Sequence, residues 1–127
     1  MTVTDVNLTE QLQAHYVETM GSVPPAIAAM FDMDDEFAAA YTTIRKLIYK
    51  DRENGLPLHI KESYLVLLDI SVDNTSGALN HLAAAKRAGL NAVQLKELLL
   101  CAFLVRGVAA FGKTGCELWN SFEGIEG

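Results

Sequence analysis

The sequence NTSGALNHLAAAKRAG, residues 74–89, predicts a short helix that carries one histidine among small apolar side chains. Ala78, His81 and Ala85 fall at helical spacing, so the imidazole would project from a face of methyl groups. Gly89 stands where a left-handed C-terminal cap is expected, and the cations just before it suit the negative end of the helix dipole. Another interpretation of His81 is a core histidine whose ring is hydrogen-bonded to a backbone carbonyl.

The preceding segment supplies two carboxylates that bear on this histidine. Glu62 and Asp69 are seven residues apart, which predicts that they lie on one face of a helix, two turns from each other. The apolar run between them, residues 64–68, predicts burial on nearly all sides, and a buried carboxylate must be paired, hydrogen-bonded or protonated. We expect Glu62 to form an acid/base pair with His81. The simpler expectation for Asp69 is a hydrogen bond to the backbone at the start of the next helix.

Helical patterns cover the rest of the chain as well. No window alternates with period two, and proline and glycine lie between the periodic segments rather than inside them. Asn91 and Gln94 form a capping box that begins a long apolar helix, and Gly107 and Gly112 bracket a break after it. The sequence therefore predicts an all-α fold, a single-domain helical bundle of about six helices across residues 1–127.

Composition bounds the partners and the location of the protein. Half of its 127 residues are hydrophobic, which is much for a short chain with a large surface to cover, so we expect apolar faces that assemble a homo-oligomer. The formal charge of −6 argues against binding to nucleic acid or to an anionic membrane, because both need a basic face. A small anionic substrate needs only one or two cations. Because the apolar runs are too short to span a bilayer and no disulfide framework is indicated, we expect a cytoplasmic protein.

Cofactor motifs are weak in this chain. The three histidines are scattered and lack paired E-x-x-H spacing, so neither a metal nor another cofactor is expected. Residues 107–114, GVAAFGKT, fit the phosphate-binding pattern G-x-x-x-x-G-K-[ST]. That motif functions behind a strand of a parallel sheet, whereas the segments here have helical caps and lengths, so nucleotide binding is not expected. Cys101 lies inside an apolar helix and is expected to be buried and inert.

Three motifs together point to a known family. They are Gly21-x-x-Pro24-Pro25, Lys61-Glu62 and His81-x-x-x-Ala85-x-x-x-Gly89, the last followed by a capped helix. In these features, from about Gly21 to Phe111, the chain resembles the carboxymuconolactone decarboxylase and alkylhydroperoxidase D-like family. Proteins of this family are small and all-helical and commonly assemble as trimers or hexamers, so the resemblance implies a trimer or a hexamer.

The resemblance also shows where this chain departs from the family. The peroxidase branch carries C-x-x-C-x-x-x-H, with a glutamate twelve residues before the first cysteine. Placed on this sequence, the glutamate falls on Glu62 and the histidine on His81, but the two cysteines fall on Asn74 and Gly77. Without the thiol pair, peroxide reduction is not expected. The resemblance implies the decarboxylase branch, whose members also lack these cysteines and act on a carboxylated lactone from aromatic ring cleavage.

The chemistry that the resemblance implies is decarboxylation with proton transfer on a small unsaturated carboxylate. His81 would deliver the proton, and Glu62 would orient the imidazole and set its tautomer. The same pair would serve a cis–trans isomerase or a tautomerase of a dienoic acid ring-cleavage product, and the sequence does not separate these reactions. A non-catalytic oligomer subunit, or a residual redox role through Cys116, are further alternatives.

Four more side chains are candidates for substrate binding. Arg106 interrupts an apolar segment near a glycine and could bind the substrate carboxylate, although a solvated or interface arginine would show the same pattern. Asn74 and Ser76 stand where the family has its reactive turn, and Asp69 lies on the same helix face as Glu62. These four residues complete the predicted site.

Overall fold

The structure, a computed structural model, describes residues 3–126, with side chains from residue 8 onward, and the regular secondary structure of these residues is helical. In chain order the elements are α1 (Val3–Met20), α2 (Pro25–Met33), α3 (Asp35–Tyr49), α4 (Leu58–Ser71), α5 (Thr75–Arg87), α6 (Ala92–Ala110), a π-helical turn (Phe111–Gly115), α7 (Cys116–Ser121) and a 3-10 turn (Phe122–Gly124). Six helices of 9 to 19 residues and the short α7 confirm the all-α prediction.

The chain divides into two compact units, Met1–Arg52 and Glu53–Gly127. The first unit contains α1 to α3, and the second contains α4 and everything after it. Every residue of the predicted site lies in the second unit. The single domain across residues 1–127 stays a prediction.

The first unit holds a buried arginine among neutral partners. The Nη1 atom of Arg45 donates to Nε2 of His15 at 2.9 Å and to the hydroxyl of Thr19 at 2.7 Å. Its Nη2 atom donates to the hydroxyl of Tyr49, and the guanidinium lies 4.3 Å from the centre of that ring. Since a guanidinium only donates, His15 must accept at Nε2 and is therefore neutral, with its proton on Nδ1. Burial lowers the pKa of His15, and Arg45 lowers it further.

The helix pair α4 and α5 forms the frame of the second unit. Asn74 begins α5 by accepting the backbone N–H of Gly77 at 3.1 Å, and Gly89, with a φ of 116°, follows the end of the helix as predicted. The α4 face presents Val66 and Ile70 to the small buried face of α5, and the two pack in one apolar core. That core comprises Val66, Ile70, Ala78, Leu82, Ala85, Leu90, Leu95, Leu98, Leu99, Leu118 and Phe122.

The long helix α6 begins and breaks where the sequence indicates. The capping box is formed in both directions, since Asn91 accepts the backbone N–H of Gln94 and the Gln94 side chain accepts the backbone N–H of Asn91, each at 2.9 Å. Gly107, with φ 78° and ψ −172°, interrupts the helix, and Gly112 falls inside the π-helical turn. The stretch that matches the nucleotide-binding pattern is thus helical, which removes the strand-to-helix loop that a phosphate would need.

Two predictions of burial are wrong. Cys101 is exposed on α6, and the run 64–68 is not buried on all sides, since Tyr64 and Leu68 are more than half exposed. The reason is the same in both helices: an apolar helix presents one stripe to its own core and leaves its other faces uncovered. Among the described residues, no helix combines the length and the apolar character needed to cross a membrane.

Candidate functional site

His81 on α5 faces Glu62 on α4 across the packed helix pair. Its Nδ1 atom lies 2.7 Å from Oε2 of Glu62, and the two side chains are 18% and 1% exposed. A carboxylate accepts, so Nδ1 carries a hydrogen, and the tautomer and ring orientation are set by Glu62. At Nδ1 the partner is thus a carboxylate rather than the backbone carbonyl of the alternative interpretation.

The second oxygen of Glu62 is buried in an unfavourable environment for a carboxylate. Its Oε1 atom is buried and has no hydrogen-bond partner among the described residues. Leaving a buried polar atom without a partner costs about 1–3 kcal/mol. The contact that compensates the burial of this carboxylate is the one between Oε2 and Nδ1 of His81.

Asp69 approaches the other nitrogen of the same imidazole. Its Oδ2 atom lies 3.9 Å from Nε2 of His81, and its Oδ1 atom accepts from the side-chain amide of Asn74 at 3.2 Å. Burial raises the pKa of Asp69, while His81 and the Asn74 amide act in the opposite direction. The expected bond from its side chain to the backbone of the next helix is therefore replaced by a bond to a side-chain amide. His81 stands between two carboxylates.

Gly77 provides the space for this arrangement. A Cβ atom built at Gly77 would lie 2.8 Å from Oδ2 of Asp69 and would collide with the amide nitrogen of Asn74. Asn74 in turn accepts from the backbone of Gly77 and, at 3.4 Å, from the hydroxyl of Ser76. The first turn of α5 is thus folded around a side-chain network that only a glycine at 77 permits.

Two cations lie beside the turn that joins α4 to α5. Arg106 and Lys113 reach the same oxygen of Asp73, Oδ2, at 4.0 and 3.9 Å. The Arg106 side chain is 43% exposed, so its contact with Asp73 lies at the protein surface. Lys113 is not one of the predicted site residues, but it belongs to the stretch 107–114 that matches the phosphate-binding pattern. The structure brings the predicted Arg106 together with this second cation.

The cysteines lie outside the helix pair that holds His81 and Glu62. Neither cysteine lies on α4 or α5, and the Cys116 thiol donates to the backbone carbonyl of Gly112 at 3.4 Å. Among the side chains that the structure describes, from residue 8 to residue 126, no three of the types that ligate metals converge on one point. What the site offers is proton transfer, with an imidazole as the exchanging group and carboxylates on both sides of it.

One solved structure is similar to this one over most of its length. It is the crystal structure of a protein from Burkholderia xenovorans LB400 named "putative carboxymuconolactone decarboxylase". The TM-score is 0.82 and the sequence identity is 35%, over 91% of this chain and 89% of that chain. No protein-family model and no curated protein sequence matches the chain.

Fold and site together define an all-helical protein in which a helix pair holds a histidine against a buried carboxylate. The chain belongs to the carboxymuconolactone decarboxylase family, as its identity and overlap with the Burkholderia protein show. The resemblance seen in the sequence motifs is thereby confirmed at the level of the family and its fold.

Proposed function

We propose that the protein is a carboxymuconolactone decarboxylase-like enzyme that removes CO2 from a small unsaturated carboxylate of aromatic breakdown. The observation that carries this proposal is the 2.7 Å contact between Nδ1 of His81 and Oε2 of Glu62. The name of the Burkholderia protein and the absence of cysteines from residues 74 and 77 support a decarboxylase over a thiol peroxidase.

In the proposed reaction the bond between the substrate's carboxylate carbon and its neighbour breaks, and CO2 leaves. The electron pair stays on the unsaturated fragment, where it is delocalised. His81 then donates a proton from Nε2 to a carbon of that fragment, and a new C–H bond forms. Glu62 keeps Nδ1 occupied, so the exchanged proton is the one on Nε2, and its negative charge stabilises the imidazolium before transfer.

We propose that Arg106 and Lys113 bind the carboxylate of the substrate. Both cations already hold the carboxylate of Asp73, so their spacing suits a carboxylate group. Asn74 and Ser76, at the start of α5, supply neutral hydrogen-bonding groups next to the same turn. In this proposal Arg106→Ala raises KM by about tenfold and changes kcat little, because the lost interaction is made in both the ground and the transition state.

The experiment combines two readouts with 4-carboxymuconolactone as the substrate. Ultraviolet absorbance follows loss of the lactone, and CO2 release is recorded in parallel for wild type, His81→Ala and Asn80→Ala. Asn80 is the exposed neighbour of His81 on α5 and serves as the matched control. We expect CO2 release in wild type and Asn80→Ala, and a loss on the order of 10²- to 10⁴-fold in His81→Ala. A spectral change without CO2, or equal rates in His81→Ala and wild type, would overturn the decarboxylase proposal.

We also propose that the protein is a homo-oligomer, a trimer or a hexamer, with α6 in the interface. Leu100, Leu104, Val105 and Val108 are exposed on this helix, and Leu104 is 86% exposed. Beside them, Phe103, Phe111 and Trp119 contribute to an open apolar groove of about 190 Å³. Apolar patches of this kind mark contact surfaces. Light scattering should show an assembly that Leu104→Glu dissociates, whereas a monomeric wild type would contradict the proposal.

A further inference from the structure

A carboxyl group lies near each nitrogen of the His81 imidazole, and the two groups differ in their distance from the ring and in their exposure to solvent. Glu62 lies at hydrogen-bond length from Nδ1 and is 1% exposed, whereas Asp69 lies 3.9 Å from Nε2 and is 18% exposed. Glu62 therefore fixes the ring. Asp69 is close enough to exchange a proton after a small movement, because hydrogen-bond length, about 2.8 Å, is roughly 1 Å shorter.

Contacts with the start of α5 hold the side chain of Asp69 in this position. The Asn74 amide anchors Oδ1, and the missing side chain of Gly77 leaves room for Oδ2, the oxygen that faces His81. Rotation about the anchored oxygen, or one bridging water, would close the remaining distance to Nε2. Two residues of the α5 start thus keep one carboxylate oxygen directed at the imidazole.

The net charge around His81 favours a proton on the carboxyl group of Asp69. One imidazolium between two carboxylates leaves the site with an excess of negative charge, and an anionic substrate adds to it. Protonation of one carboxyl group relieves this repulsion. Burial already raises the pKa of Asp69. The charged group that acts on Asp69 is His81, whose opposite nitrogen contacts Glu62, whereas Arg106 and Lys113 face Asp73.

We infer that Asp69 is the proton donor that recharges His81 after each decarboxylation. This inference rests on the proposed function. His81 gives its Nε2 proton to the carbon fragment and becomes neutral, and the carboxylic acid of Asp69 then transfers its proton to Nε2. Water returns a proton to Asp69, so each cycle consumes one proton from solvent and one substrate carboxylate and yields one C–H bond and one CO2. Asp69 acts through His81 and need not touch the substrate.

The decisive measurement separates the first turnover from those that follow. The first turnover uses the proton that His81 already holds, so in Asp69→Asn we expect an unchanged burst of CO2 and a steady-state rate lowered by about tenfold. A small protonated buffer such as imidazolium should restore the steady-state rate of this variant. Glu97→Gln, the same kind of change at an exposed carboxylate on α6, is the matched control and should keep the wild-type ratio of burst to steady-state rate.

A second readout does not depend on activity. Infrared difference spectra should show a protonated carboxyl band that is lost in Asp69→Asn, kept in Glu97→Gln, and persistent to a higher pH than an ordinary aspartic acid. If this band is absent, Asp69 holds no proton and the inference fails, whatever the lactone assay gives. Equal losses in burst and steady state without buffer rescue would also overturn it. If no protein variant decarboxylates the lactone, the proposed function fails, and the infrared band alone decides whether Asp69 stores a proton.

Discussion

Oδ2 of Asp69 occupies the space in which a side chain at residue 77 would begin, since a Cβ on Gly77 would stand 2.8 Å from that oxygen. The close approach is between two helices, since Asp69 lies in the last turn of α4 and Gly77 in the first turn of α5. The position of the carboxylate beside His81 thus depends on a residue that makes no polar side-chain contact itself.

Gly77→Ala should therefore displace Asp69 and weaken the fold. We expect a loss of about 1–3 kcal/mol in the free energy of unfolding, because inserting a methyl group into a filled space forces side chains out of their preferred positions. Urea denaturation measures this change. Gly112→Ala is the control, since a Cβ there meets no atom within 4 Å, and its effect should stay within about 0.5 kcal/mol. Equal losses in the two variants would show that the contact with Asp69 is not the limiting one.

Glu62→Gln should uncouple orientation from charge at His81. The amide oxygen can still accept from Nδ1, so the ring keeps its tautomer, but the negative charge that stabilises the imidazolium is gone. We expect kcat for decarboxylation to fall on the order of 10²-fold with little change in KM. Steady-state CO2 release measures both. Glu97→Gln, an exposed carboxylate on α6, should be indistinguishable from wild type, and a fully active Glu62→Gln would show that only orientation matters.

The buried pair of His15 and Arg45 predicts a pH-dependent stability. The folded chain lowers the pKa of His15, first through burial and then through Arg45. The neutral imidazole therefore favours the native state above the unfolded value near 6.5, and this contribution is lost as the pH falls through the lower folded value. His15→Gln keeps an acceptor for Arg45 without a titrating group. Urea unfolding on both sides of 6.5 should show a larger loss on acidification in wild type than in the variant, and parallel losses would contradict the prediction.

Lys86 connects α5 to residues 122–125. Its ammonium donates to the backbone carbonyls of Phe122 at 2.7 Å and Ile125 at 2.6 Å, and it lies 4.7 Å from the centre of the Phe122 ring. Lys86→Met should cost about 2 kcal/mol of unfolding free energy, because hydrogen bonds to a charged group are stronger than neutral ones. Lys96→Met, at an exposed position on α6, should change it by less than about 0.5 kcal/mol. Hydrogen exchange should accelerate over residues 122–126 in the first variant alone.

The pairing of Glu62 with His81 could be predicted because two signals agreed. A carboxylate and a histidine in neighbouring apolar helices each need a buried polar partner, and the family resemblance places them in one site. The helices, the Asn91 capping box and the Gly107 break also follow from local rules, since caps, glycine and periodicity act within a few residues.

Other features depend on contacts between distant residues, and the sequence does not show them. In the sequence, Arg45 is one of several cations near the end of a helix. Its contact with His15 arises only from the packing of α3 beside α1. The one available signal was that His15 and Thr19 share a face at i and i+4. Cys101 was expected to be buried because its neighbours are apolar, but which face of α6 meets the core is set by the other helices of its unit.

The backbone dihedral angle of Gly107 has an electrostatic consequence. In a straight helix, residues 106 and 113 would stand about 10 Å apart along the axis. Here a break and a π-helical turn separate Arg106 from Lys113, and the two side chains approach one oxygen of Asp73 at 4.0 and 3.9 Å. A residue with a side chain at 107 would strain this left-handed conformation, so the course of the backbone between the two cations depends on a glycine. In a chain of net charge −6, the point at which two cations converge on one carboxylate is therefore linked to the backbone of a glycine that carries no charge itself.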